Sequence, residues 1–170
     1  GDVDGDGRDE IIVARNLGES FGVLTVYRGD GTFVADVPVP FREWDDMDVG
    51  DVLGDGWAGG EWIDDRGREE IVLISERDDR VRIYRLTDLN HLVQAGSGEW
   101  TASVNFTRKD RMRVGNVRSE WPRDEIVVVR DDDQTIYIYN GTGTELARLG
   151  RDVDGDGKTD TRYTPYDGFE

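Results

Sequence analysis

The sequence predicts an all-β fold, a propeller-like array of about three four-stranded antiparallel blades, from three observations. Apolar residues gather into short β-branched runs, an Asp-rich turn followed by Glu and an aliphatic run recurs along the chain, and the recurrence has the length of an enlarged blade. The motif Glu residues stand 60 apart from Glu10 to Glu70 and 55 apart from Glu70 to Glu125. One repeat domain over residues 1–170 is expected, with units at about 1–41, 42–106 and 107–149 and a partial unit at 150–170.

Each element has its own signal. Ile11-Ile12-Val13 is the first aliphatic strand, and Val23-Leu24-Thr25-Val26-Tyr27 is the alternating strand that follows it. The turn Gly29-Asp30-Gly31 leads to a third strand over Phe33–Val39. Asp46-Met47-Asp48-Val49 alternates polar and apolar and enters the second unit, whose aliphatic run is Ile71-Val72-Leu73-Ile74, followed by Val81-Arg82-Ile83-Tyr84. A helix is expected only near residues 87–94. In the third unit the same order runs through Arg111-Met112-Arg113-Val114, Ile126-Val127-Val128-Val129, Thr135-Ile136-Tyr137-Ile138-Tyr139, the turn Asn140-Gly141-Thr142-Gly143, and a strand over residues 145–149. The four Asp-rich turns begin at Gly1, Gly50, Gly115 and Asp152, and the last is not followed by an aliphatic run.

Composition narrows the function. With 38 acidic against 21 basic residues the formal charge is −17, which disfavours nucleic acid, because phosphate binding draws its affinity from Lys and Arg displacing counterions. So many carboxylates repel one another in a compact state, which raises the expectation of bound cations. There is no cysteine, hence neither a disulfide framework nor a thiolate metal site, and no run of about 18 apolar residues that would insert into a membrane. The chain opens inside a motif, Gly1-Asp2-Val3-Asp4-Gly5-Asp6-Gly7, as a piece of a longer polypeptide would.

Asp at alternating positions, then Gly, places three carboxylates inside one tight turn, the hard oxygen environment that suits calcium better than magnesium or zinc. In the first loop the expected ligands are Asp2, Asp4, Asp6, the Arg8 carbonyl and Glu10, and in the fourth Asp152, Asp154, Asp156, the Lys158 carbonyl and Asp160. The second loop offers Asp51, Asp55 and Glu70, but Leu53 replaces the middle acid and an insertion containing Trp57 and Trp62 interrupts it. In the third loop Arg118 takes that position, where a guanidinium is expected to replace the ion. An EF-hand is excluded because its closing bidentate Glu would fall at Val13 and Tyr163, and the flanking segments are strands.

The run Gly1-Asp2-Val3-Asp4-Gly5-Asp6-Gly7-Arg8-Asp9-Glu10-Ile11-Ile12-Val13-Ala14 resembles the FG-GAP or VCBS-type calcium-binding repeat of integrin α-subunit propellers and of many secreted bacterial proteins. That resemblance implies a calcium loop joining the first two strands of a blade and an extracellular role in adhesion, recognition or scaffolding. Such propellers often have seven blades, so the shorter array here implies a fragment or a ring closed by other chains.

No catalytic constellation stands out. His91 is alone, and any carboxylate pair can be chosen from so many acids. The five tryptophans, Trp44, Trp57, Trp62, Trp100 and Trp121, are expected in or near loops, packed over blade edges or stacking on sugars. The expected function is non-catalytic calcium-dependent binding outside the cell, with other protein chains or extracellular glycans as partners and head-to-tail assembly into oligomers or filaments. The competing class is a propeller segment of a secreted carbohydrate-active enzyme such as a polysaccharide lyase.

Overall fold

The computed structural model describes residues 1–18, 21–54, 56–58, 61–63, 67–87, 90–102, 105–132 and 134–150. These residues form antiparallel strands and no helix. In chain order they are β1 (Ile11–Gly18), β2 (Phe21–Tyr27), β3 (Phe33–Val39), β4 (Asp46–Gly50), β5 (Gly56–Ala58), β6 (Glu61–Ile63), β7 (Glu70–Ile74), β8 (Arg80–Leu86), β9 (Leu92–Thr101), β10 (Arg111–Gly115), β11 (Glu125–Val129), β12 (Ile136–Tyr139) and β13 (Glu145–Leu149).

They make three sheets, ordered β1-β2-β3, β4-β7-β8-β9-β5-β6 and β10-β11-β12-β13. The third has the four strands expected of a blade, the first has three, and the second is extended by the short β5-β6 hairpin, which joins β9 through Ala58 and Ala95. No closed ring of sheets is present among the described residues. One register recurs: Ile11 faces Tyr27, Ile71 faces Tyr84 and Ile126 faces Tyr139.

The second sheet is the middle layer, and strand alternation divides its side chains between two cores. Ile71, Leu73, Tyr84 and Leu86 pack with Leu24 and Val26 of the first sheet. Val72, Ile74, Val81 and Ile83 pack with Met112, Ile126, Val128 and Tyr139 of the third. A strand covered on both faces reads as a continuous aliphatic run, which is why β7 is buried along its whole length while most of β1 is half-buried or exposed.

Polar stitches align the layers. Asp46 and Asp48 of β4 accept hydrogen bonds from the Met112 and Val114 amides of β10 at 2.9 and 2.8 Å, satisfying donors on the outer edge of that strand. The Asp51 amide donates to the Asp124 carboxylate at 3.1 Å while the Asp124 amide donates to the Asp51 carbonyl at 2.8 Å. The same exchange joins Asp2 to Glu69, at 3.1 and 3.0 Å, between the first loop and the second sheet.

Two expectations are corrected. The helix expected at residues 87–94 is not formed: Thr87 accepts the Asn90 amide in a turn, Asn90 adopts φ 56°, and the chain enters β9 at Leu92. The apparent helical spacing of Leu89, Leu92 and Val93 gives way to pairing of β9 with β8. The tryptophans are not confined to loops either. Trp57 and Trp62 face each other in the β5-β6 hairpin, and Trp100 lies in β9 with its ring 4.9 Å from that of Tyr139.

Candidate metal centre

The first loop, residues 1–10, is wound by its own aspartates. Asp2 accepts the Gly5 and Gly7 amides through its two oxygens at 2.8 and 2.9 Å, Asp4 accepts the Asp6 amide at 3.0 Å, and Asp6 accepts the Arg8 amide at 2.9 Å. These are Asx turns, and they need Gly5 and Gly7 at φ 75° and 84°, where a side chain would be strained. The loop closes on Glu10, whose Oε2 accepts the Val3 and Asp4 amides at 3.0 and 3.3 Å.

This winding brings one carboxylate oxygen each of Asp2, Asp4 and Glu10 within 4.8 Å of one another. Asp6 and Arg8 are exposed and stand outside that group. Three hard oxygens on a tight turn fit calcium, and a carboxylate has about four lone-pair positions, so its amide bonds leave capacity for an ion. The electrostatics agree with that fit. Burial pushes the Glu10 carboxyl above the usual carboxylate range, and the charges of Asp4 and Asp2 add to the rise against the lowering effect of its amide bonds. Arg28 supplies a counter-charge 3.6 Å from Asp4.

The other loops keep the frame and change the contents. Glu70 Oε2 accepts the Val52 and Leu53 amides at 2.9 and 2.8 Å, and Glu125 Oε2 accepts the Val117 and Arg118 amides at 2.9 and 3.2 Å. In all three loops the motif Glu is therefore a buried anchor for loop amides. In the second loop guanidinium groups engage both described candidates: Arg85 Nε donates to Glu70 Oε1 at 2.9 Å, and Arg123 pairs with Asp51. In the third, Arg118 reaches Glu120 and the Leu146 carbonyl rather than Glu125. Asp55 and the fourth-loop residues Asp152, Asp154, Asp156, Lys158 and Asp160 lie outside the described residues.

Several positioning residues escaped the sequence reading. Arg85 follows the Tyr84 register position, so aligning units on Tyr27, Tyr84 and Tyr139 would have singled it out. Asp45 and Asp110, just ahead of β4 and β10, make matching bonds. Asp45 accepts the Arg42 and Glu76 amides at 2.8 and 2.9 Å, and Asp110 accepts the Thr107 and Asp131 amides at 2.7 and 2.8 Å. His91 is exposed on a turn. Compared with known proteins, the chain matches no family model, no curated protein and no solved structure.

A pH dependence follows from these carboxyls. Burial raises Asp45 and Asp110 as it raises Glu10, so the folded state holds these protons more tightly than the unfolded chain. The stability they contribute is complete below the unfolded pKa and is lost as pH rises through the folded one. Glu99 has the opposite sign, lowered by its hydrogen bonds to Arg80 and Gln94, and its contribution is lost only below the ordinary carboxylate range. Metal-free protein should therefore gain thermal stability on going from about pH 8 to about pH 5, with calcium narrowing the difference. Thermal denaturation at the two pH values, with and without calcium, checks this; a lower midpoint at the acid value would contradict it.

Proposed function

We propose that the chain is a calcium-stabilised extracellular repeat module, built of propeller-like blades, that serves binding or self-assembly and has no catalytic role. The observation that carries this reading is the Asp2, Asp4 and Glu10 carboxylate group on one tightly wound loop. Calcium there would neutralise three mutually repelling charges and fix the turn that leads into β1, so its chemical role is to hold the loop and the adjoining sheets in register. Exposed Ile11, Leu17, Phe21 and Phe33 on the first sheet support an associating surface for protein chains or glycans.

The test is calcium binding by metal-free protein. A ligand present at about one hundred times its Kd stabilises the state it binds by about 2.7 kcal/mol. For a chain of this length that is a rise of roughly 5–10 °C in Tm. Asp4→Ala should abolish the part of the rise due to the first loop and remove one site from a calorimetric titration, and magnesium should have a much smaller effect. An unchanged titration in Asp4→Ala would remove this loop as the calcium site.

A further inference from the structure

The three sheets differ at one equivalent position, the residue after the recurring tyrosine: Arg28 in the first, Arg85 in the second and Asn140 in the third. In the second sheet the arginine completes the motif Glu. Glu70 gives Oε2 to two loop amides and Oε1 to the Arg85 guanidinium, which also donates to the Gly54 carbonyl. Every side of that buried carboxylate has a donor.

In the third sheet the arrangement is the same except that the guanidinium is missing. Glu125 is 1% exposed and its Oε2 holds the Val117 and Arg118 amides, but Oε1 has no hydrogen-bond partner. Asn140 turns its Oδ1 to its own turn, accepting the Thr142 and Thr144 amides at 3.1 and 2.8 Å. The neighbouring arginines are committed elsewhere, Arg118 to Glu120 and Arg123 to Asp51 and the Leu53 carbonyl. A buried carboxylate oxygen without a donor is costly, and a charge-assisted hydrogen bond would relieve it.

Glu125 and Asn140 line a pocket of about 250 Å³, together with Leu53, Trp121, Pro122 and Leu146. Apolar walls suit the stem of an alkylguanidine, an indole face suits its planar cation, and the carboxylate suits its paired N–H donors. We infer that this pocket binds a guanidinium group on an aliphatic stem, taking from outside the cation that Arg85 supplies from within the second sheet. The source is either a small alkylguanidine or an arginine side chain of another polypeptide. This inference concerns the third loop and stands apart from the calcium reading of the first.

The decisive probe is butylguanidinium, with butylammonium as the charge control and butylurea as the neutral control of the same shape. Titration is followed by Trp121 fluorescence and by the amide resonances of Val117 and Arg118, which share Glu125. Butylguanidinium should bind at least about ten-fold more tightly than either control. The variant Asn140→Arg should fill the pocket from within, raising the thermal midpoint and weakening butylguanidinium at least about ten-fold. The turn tolerates the change, because Arg28 starts the matching turn of the first sheet with the same Thr32-to-Arg28 and Arg28-to-Gly31 bonds that Asn140 makes with Thr144 and Gly143. Equal binding of butylguanidinium and the controls, or unchanged binding in a folded Asn140→Arg protein, overturns the inference. If that variant does not fold, the comparison of the three probes on the natural chain decides alone. An acetylated Gly-Arg-Gly amide binding more tightly than butylguanidinium points to a polypeptide source, and the reverse order to a small molecule.

Discussion

Glu70→Ala is expected to be the most damaging side-chain truncation in the chain. Glu70 is 1% exposed and holds the Val52 and Leu53 amides, which set the second loop against the core between the second and third sheets. Removing it also leaves the Arg85 guanidinium, itself buried, with its charge uncompensated. Breaking one side of a buried pair in this way costs about 3–5 kcal/mol, a large share of the roughly 5–15 kcal/mol that keeps a domain folded. Arg85→Met should cost less, because Glu70 keeps its two amide donors and the Met stem replaces part of the lost packing. The double variant should be more stable than the sum of the two losses predicts, since the stranded cation is gone. Urea denaturation of the four proteins measures the coupling, and a Glu70→Ala loss of less than about 1 kcal/mol would refute the anchor role.

Equivalent truncations at Glu10 and Glu125 separate the anchor from its cation. All three residues hold two loop amides, but only Glu70 also holds an internal arginine. The difference was not legible in the motif, where Glu10, Glu70 and Glu125 look alike. It depends on the residue after the tyrosine of another strand, fifteen positions along the chain from Glu70 to Arg85.

What could be read in the sequence was whatever local chemistry decides. The runs at β7 and β11 announced strands because a strand packed on both faces has no place for polar residues, and the Asp-Gly turns announced tight loops because their hydrogen bonds lie within a few residues. The alternation of Asp46-Met47-Asp48-Val49 correctly indicated β4, but its aspartates looked like a solvated face. Their carboxylates instead cap amides of β10, sixty-six residues away, a partnership that only the stacking of sheets creates. The expected helix at residues 87–94 had the converse fault: apolar spacing suited a helix, while Thr87 and Asn90 formed the turn that let β9 pair with β8. In the first loop the three alternating aspartates looked equivalent, yet winding separates them. Asp2 and Asp4 turn toward Glu10, and Asp6 caps Arg8 at the surface.

The stacking itself has a matched pair of tests in Gly29 and Gly141, which occupy the same place in the turns after Arg28 and Asn140. Gly29 is exposed, and a methyl group there would meet only the Asp9 carbonyl oxygen, at 3.8 Å. Gly141 is buried, and a methyl group there would run into the Val52 carbonyl and the Leu53 side chain of the second loop. Neither glycine has left-handed backbone, so alanine is not strained by its own conformation at either position. Their difference is therefore a measure of sheet-to-sheet contact alone. Gly29→Ala should change stability by less than about 0.5 kcal/mol, as an exposed substitution does. Gly141→Ala must push the β12-β13 turn away from Val52 or shift the second loop off Glu70, an overpacking cost of about 1–3 kcal/mol. The Gly141→Ala protein should also lose amide protection first at Asp51 and Asp124, whose reciprocal bonds span the same joint. Hydrogen exchange alongside denaturation reads both effects, and equal stability of the two alanine variants would mean that the second and third sheets are not packed through this turn.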